Sequence, residues 1–129
     1  MPSSNIAIIS IGSNIKPQKY IQKALDIIRN SHQFLAESQF VKTKPIGFHN
    51  QDDFINGAIK IDTDMSFKEL TLWLKNVEKK LNRIRTQNKN GPRTIDLDIV
   101  VWNGTVIDKD VFERDFLKNA VFELEPTLF

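Results

Sequence analysis

The spacing of apolar residues along the chain predicts two helices and four strands. Residues 17–30 and 66–84 carry apolar side chains at intervals of three and four, which gathers them on one face of a helix. Four other segments are short, rich in β-branched or aromatic residues and bounded by Gly, Pro, Asn or Asp, as strands are. These strands are predicted at residues 5–11, 34–43, 54–62 and 94–102.

The element order is therefore β-α-β-β-α-β, which is the order of the ferredoxin-like arrangement. This α+β fold has an antiparallel sheet with both helices packed on one face. Beyond Gly104, residues 105–129 mix acidic and apolar side chains, and we expect them to form a short strand or helix appended to the edge of the sheet. With 129 residues and no internal repeat, the chain is expected to form one domain over residues 1–129.

Composition excludes several classes of protein and of site. The absence of cysteine rules out disulfides, thiolate zinc sites and cysteine nucleophiles. No apolar run approaches the roughly 20 residues that span a bilayer, and the N-terminus lacks a secretion signal, so we expect a cytoplasmic protein with no membrane partner. The chain has neither a G-x-x-x-x-G-K-[ST] loop nor a marked serine–histidine pair, which argues against a Walker-type site and a nucleophilic triad.

Two aspartates in the last predicted strand are the strongest candidates for chemistry. Alternate residues of a strand share a face, so Asp96 and Asp98 lie together with Cα atoms about 7 Å apart. Neighbouring carboxylates repel each other unless a cation lies between them. Mg²⁺ accepts a small number of carboxylates together with water and phosphate oxygens, so the pair suits a metal–nucleotide. Two solvated acids on an open sheet face, or acids paired with Arg93, remain the alternative.

The segment before these aspartates is strongly basic. Its cations are Lys75, Lys79, Lys80, Arg83, Arg85, Lys89 and Arg93, and its one acid is Glu78. Such a cluster beside a magnesium pair suits a polyphosphate, because guanidinium groups bind the phosphate oxygens that the ion leaves. Positive charge at a helix C-terminus explains the three lysines equally well, but not the arginines. A nucleic-acid partner is not expected, because the segment lacks aromatic side chains on which bases stack.

Residues 91–98, read as GPRTIDLD, resemble the G-P-R-T-[LI]-D-[LI]-D signature of the 6-hydroxymethyl-7,8-dihydropterin pyrophosphokinases. Residues 11–14 (IGSN), 43–47 (TKPIG) and 51–56 (QDDFIN) resemble further segments of that family in order and spacing. The resemblance extends over about residues 7–104. It implies a ferredoxin-like fold and an ATP-dependent enzyme of folate biosynthesis, which transfers pyrophosphate from ATP to the pterin hydroxymethyl group and releases AMP.

The resemblance also implies roles for individual residues. Asp96 and Asp98 would hold two Mg²⁺ ions on the co-substrate ATP, while Arg83 and Arg93 would contact the phosphates and the transition state. These four residues are the implied catalytic set. The resemblance implies three further contacts to ATP. Glu78 would be the acid at the adenosine part, Ile99 would make a backbone contact to the same part, and Arg85 would be a loop arginine.

For the pterin, the resemblance implies a polar edge and two aromatic faces. Asn56 and Thr43 would hydrogen-bond the ring, together with the backbone at Lys44 and Ile46. The flat heterocycle would stack between two phenylalanines. These are Phe54 and Phe122.

The sequence departs from the family pattern in two places. The family has a Pro-His pair and then an arginine before the second aromatic, where this chain has Arg114 near the histidine position and Ala120 at the arginine position. A tryptophan and an arginine of the preceding loop are replaced by Asn90 and Lys89. Such losses lower kcat before they weaken binding. The alternative to a monomeric enzyme is thus a catalytically weakened paralogue that binds pterin or nucleotide as a sensor or partner subunit.

Overall fold

A computed structural model describes residues 4–45, 47, 50–83 and 92–128. Its elements are, in chain order, β1 (Asn5–Ser13), α1 (Pro17–Ser31), β2 (Gln33–Glu37), β3 (Val41–Thr43), β4 (Phe54–Thr63), α2 (Phe67–Lys80), β5 (Asp96–Trp102), β6 (Thr105–Val106), α3 (Asp110–Glu113) and α4 (Asp115–Leu124). A 3₁₀ turn at Pro126–Leu128 follows.

The sheet is antiparallel with β1 at its centre. The strand order is β2-β4-β1-β5-β6, and β3 pairs with β4 after β2 has ended. Counting β2 and β3 as one interrupted strand, this is the predicted β-α-β-β-α-β order, and the ferredoxin-like α+β prediction is confirmed.

The interruption between β2 and β3 has a local cause in the structure. Ser38 exchanges hydrogen bonds with the backbone of Ala58 through its own N–H and its hydroxyl, both at 2.9 Å. The ring of Phe40 then lies over Gly57, and a Cβ atom at position 57 would come within 2.7 Å of the ring carbons. The single strand predicted at residues 34–43 is therefore two short ones, because Phe40 turns in over a glycine.

Two helices cover one face of the sheet, as predicted. The core there contains Ile9 and Ile11 of β1, Ile59 of β4 and Leu97 of β5, packed against the apolar faces of α1 and α2. A capping box starts α2, since Ser66 and Glu69 each accept a hydrogen bond from the other's backbone N–H.

The C-terminal segment is placed differently from the prediction. Only β6 extends the sheet edge, whereas α4 packs on the second face against Ile8, Ala58 and Val100. The reason is that these three apolar side chains point away from α1 and α2 and would be exposed to water without a second layer. The helix supplies it with four buried residues at helical spacing, Leu117, Ala120, Val121 and Leu124.

Helix α2 ends before the predicted limit of residue 84. Asn82 has a φ of 67°, in the left-handed region that terminates helices. Residue 84 lies outside the described residues. No helix in the described ranges combines the length and apolar character of a membrane-spanning segment.

Candidate active site

A pocket opens where β1 ends and β4 and β5 begin. It holds about 480 Å³ of empty space, part of it open to solvent. Strand ends, the chain after β3 and the start of α4 all contribute to it. Its described lining consists of Gly12, Thr43, Lys44, Phe54, Asn56, Arg93, Asp96, Arg114 and Phe116.

The floor of the pocket is a row of three residues on adjacent strands. Gly12 pairs with Asn56 on one side and with Asp96 on the other. A Cβ on Gly12 would collide with the side-chain oxygen of Asn56, so only glycine lets that amide lie across the central strand. The Asn56 amide nitrogen donates a hydrogen bond to the hydroxyl of Thr43, which fixes its orientation.

Asp96 is held between two arginines. Its Oδ1 accepts a hydrogen bond from Nη1 of Arg83 and its Oδ2 accepts one from Nη1 of Arg93, both at 2.8 Å. Glu78 of α2 has a side chain only 3% exposed, and it accepts from Nη1 of Arg83 and from the N–H of Leu97, again at 2.8 Å. Helix α2 is thereby fastened to β5 through a buried carboxylate.

Asp98 lies beside Asp96 on the same face of β5. Burial, and then the negative charge of Asp96, raise the pKa of Asp98 to about 7. Two crowded carboxylates of this kind are an oxygen donor set that fits a hard divalent cation. No group of three or more metal-binding side chains occurs among the described residues. A cation bound by these two carboxylates would therefore complete its coordination with water or substrate oxygens.

Two aromatic side chains, Phe54 and Phe116, line the described part of the pocket. Phe54 lines the pocket, with the Arg93 guanidinium 6.0 Å from its ring centroid. Phe116, not Phe122, completes the described lining. Phe122 lies on α4 and is 52% exposed. The two residues are six positions apart, which separates them by about 120° around the helix axis. Phe122 as the second aromatic wall therefore stays a prediction, and Phe116 is a further aromatic side chain in the described lining.

The other predicted residues fall into three groups. Thr43 and Lys44 line the pocket with Asn56. Glu78 and Arg83 border a neighbouring hollow along α2, together with Leu72, Lys75, Asn76 and Lys79. Ile99 is buried in the core beneath α1 and α2, so only its backbone is available for a contact. Ile46 and Arg85 lie outside the described residues.

Sequence reasoning missed Phe116 as a pocket residue, and it missed the role of Asn14. Arg114, which the sequence places near the family's histidine position, lines the pocket. Asn14 is 5% exposed. Its Nδ2 donates to Oε1 of Gln51 and to the carbonyl of Asp52, and its Oδ1 accepts from the N–H of Arg93 at 2.9 Å. Asn14 thus ties the segment before β4 to the segment before β5. The available signal was a polar residue directly after a buried strand.

Comparison with known proteins identifies the family. The family model of the 7,8-dihydro-6-hydroxymethylpterin-pyrophosphokinases (HPPK) matches residues 8–126. The chain is 31% identical over 134 residues to a 2-amino-4-hydroxy-6-hydroxymethyldihydropteridine pyrophosphokinase of Haemophilus influenzae, covering 95% of this chain and 82% of that protein.

Two longer relatives are also similar to this chain. One is the folic acid synthesis protein fol1 of Schizosaccharomyces pombe, 35% identical over 136 residues, with 97% of this chain and 18% of that protein covered. The other is the bifunctional protein FolKE of Lactococcus lactis, 35% identical over 127 residues, with 90% of this chain and 36% of that protein covered. The chain therefore spans less than two fifths of each of these relatives. Because the family match runs from β1 past the end of α4, the chain belongs to the HPPK family.

Proposed function

We propose that the protein transfers pyrophosphate from ATP to the hydroxymethyl group of 6-hydroxymethyl-7,8-dihydropterin, releasing AMP, as a step of folate biosynthesis. The observation that carries the proposal is Asp96, which bridges Arg83 and Arg93 and has a second carboxylate beside it, on the floor of a pocket with amide and aromatic walls. Membership of the HPPK family supports the same reaction.

The pocket has the chemistry that a pterin requires. The amide of Asn56, steadied by Thr43, offers directed hydrogen bonds to the polar edge of the ring. Backbone groups at Lys44 and Ile46 complete that edge in this proposal. Phe54 and Phe116 offer aromatic faces to a flat, neutral heterocycle.

ATP binds on the side of the pocket nearest α2. Arg83 and Arg93 contact its phosphates, and Glu78, Arg85 and the backbone of Ile99 contact the rest of the nucleotide. The guanidinium groups suit this task because they bind phosphate oxygens in pairs. Asp96 and Asp98 would hold two Mg²⁺ ions, which when bound would neutralise charge on the phosphates.

The reaction is an in-line displacement at the β-phosphorus. The pterin hydroxyl oxygen forms a bond to that phosphorus while the bond to the oxygen bridging the α- and β-phosphates breaks, so AMP leaves with the bridging oxygen and the hydroxyl proton is released. Asp96 orients the attacking hydroxyl. Positioning by the pocket supplies most of the rate enhancement, since both reactants are held at one site.

Arg114 supplies a further positive charge to this site. It lines the pocket from the start of α4, and its Nε lies 3.5 Å from Oδ2 of Asp110. That pair is more than a third exposed, so it is loose compared with the pairs at Asp96. We assign Arg114 to the phosphates, in place of the histidine that the family pattern has near this position.

The proposal also includes a cytoplasmic, monomeric enzyme. Analytical ultracentrifugation with and without ATP tests the monomer, and fractionation of cells that produce the protein tests its location. A stable dimer or recovery with membranes would contradict these parts.

The test of the function is AMP formation from ATP and 6-hydroxymethyl-7,8-dihydropterin with Mg²⁺. We expect AMP to form only when the pterin is present, and Asp98→Ala to abolish it. Asp26→Asn is the matched control, because Asp26 is an exposed carboxylate on α1. If wild-type protein binds pterin in a calorimeter but forms no AMP above background, the proposal is wrong and the chain is a binding protein.

A further inference from the structure

The turn that ends α2 has an asparagine at its left-handed position. Asn82 has a φ of 67°, and its N–H donates to the carbonyl of Lys79 while the N–H of Arg83 donates to that of Glu78, both at 3.1 Å. This is a Schellman motif, and its left-handed position is usually glycine, which has no Cβ to strain the backbone. Asparagine also occurs at this position, so the contacts of its side chain decide whether it does more than end the helix.

The side chain of Asn82 reaches a different helix. Its Nδ2 donates a hydrogen bond to Oη of Tyr20 at 3.2 Å. Tyr20 is only 7% exposed and belongs to the apolar core beneath the sheet, so its phenol oxygen is a fixed anchor point. The same hydrogen bond lowers the pKa of Tyr20 below its ordinary value. The amide thus connects the end of α2 to α1.

The next residue in the chain is Arg83. Its backbone is held by the turn, and its Nη1 lies 2.8 Å from both Glu78 and Asp96. Any shift of the turn moves this guanidinium relative to the carboxylate that it must hold. We propose that Asn82 and Tyr20 are positioning residues, whose hydrogen bond holds Arg83 in place on Asp96. The catalytic consequence rests on the function proposed above.

Replacing Asn82 with glycine distinguishes a positioning role of its side chain from a role in capping the helix alone. Asn82→Gly keeps the left-handed turn without strain and removes only the amide. Tyr20→Phe keeps the aromatic ring in the core and removes only the hydroxyl. If the side chain served the helix end alone, glycine would replace it without loss. If it positions Arg83, both variants stay folded and lose activity.

The kinetic experiment compares these two variants, their double variant and Arg83→Ala. We expect about a fivefold fall in kcat in each single variant, as the loss of one hydrogen bond implies, with an unchanged KM for pterin. The double variant should equal the single ones, and Asn82→Gly should have no further effect in the Arg83→Ala background. Asn103→Gly is the matched control. Asn103 lies in the turn between β5 and β6 and also has a positive φ, 48°. Its Oδ1 accepts a hydrogen bond from the N–H of Ile6 and its Nδ2 donates one to Oδ1 of Asn5, both on β1, and loss of this side chain should leave kcat unchanged.

A second measurement does not depend on activity. The Nε–Hε signal of Arg83 is followed by nuclear magnetic resonance, and Arg83→Lys identifies it. We expect the signal to move toward that of a solvent-exposed arginine in Asn82→Gly and in Tyr20→Phe. An unmoved signal, or wild-type kcat in both variants, would overturn the inference while leaving the proposed function intact. Wild-type protein that forms no AMP would instead refute the proposed function, and the resonance shift would still decide whether the pair positions Arg83.

Discussion

Gly12→Ala is expected to remove most of the affinity for pterin without unfolding the protein. The backbone of Gly12 lies in an antiparallel strand between β4 and β5, a conformation that alanine adopts readily. The added methyl group, however, would occupy the place of the Asn56 side-chain oxygen. The amide must then rotate, and it loses its hydrogen bond to Thr43 and its alignment with the ligand.

The magnitude follows from the bonds that are lost. A neutral hydrogen bond contributes about 1 kcal/mol, and the Asn56 amide has an oxygen and a second N–H with which to make two of them to the pterin, so their loss amounts to about 2 kcal/mol of binding free energy. This corresponds to a rise in the pterin dissociation constant of about 30-fold. Calorimetric titration of the folded protein with the pterin measures it directly.

Two further variants make the result interpretable. Asn56→Ala should weaken binding as much as Gly12→Ala, and combining the two should weaken it no further, because one amide is responsible. Gly57→Ala is the control, since its methyl group would contact the Phe40 ring at 2.7 Å on the opposite side of β4. It should lower the melting temperature and leave pterin affinity unchanged. Wild-type affinity in Gly12→Ala would refute the assignment of Asn56 to the pterin.

Three other predictions concern charge. Arg114→Ala should lower kcat about tenfold with little change in pterin affinity, as loss of one charged hydrogen bond implies, and Arg114→Lys should retain part of the lost rate. A wild-type kcat for Arg114→Ala in steady-state assays would contradict the assignment of Arg114 to the phosphates. Glu78→Ala should destabilise the fold by about 3 kcal/mol in urea titrations, because the Arg83 charge would lose a buried partner, whereas a loss below about 1 kcal/mol would mean that the carboxylate contributes little. Burial against Trp73 lowers the pKa of His32, so the unfolded state binds its proton more readily below the ordinary value of 6.5. Stability measured by thermal unfolding should therefore fall as the pH drops from 7 to 5, and this fall should be smaller in His32→Gln.

Much of the fold was predictable because its signals are local. The period of 3.6 in α1 and α2 and the short β-branched segments define five of the main elements, and their order then restricts the topology to few choices. The four candidate catalytic residues could also be identified from the sequence. The alternation of side chains along a strand puts Asp96 and Asp98 on one face, and the basic segment before them contains Arg83 and Arg93.

The sequence by itself determined which residue types are available and which of them share a strand or a helix face. Only the tertiary structure decided that Arg83 and Arg93 bind the two oxygens of one carboxylate, that α4 covers the second face of the sheet, and that Phe116 lines the pocket. These outcomes depend on contacts between residues far apart in the chain, such as the hydrogen bond from Arg93 to Asn14. Local periodicity carries no information on such distances. Packing settles them, because each apolar face must be buried and each buried polar group must find a partner.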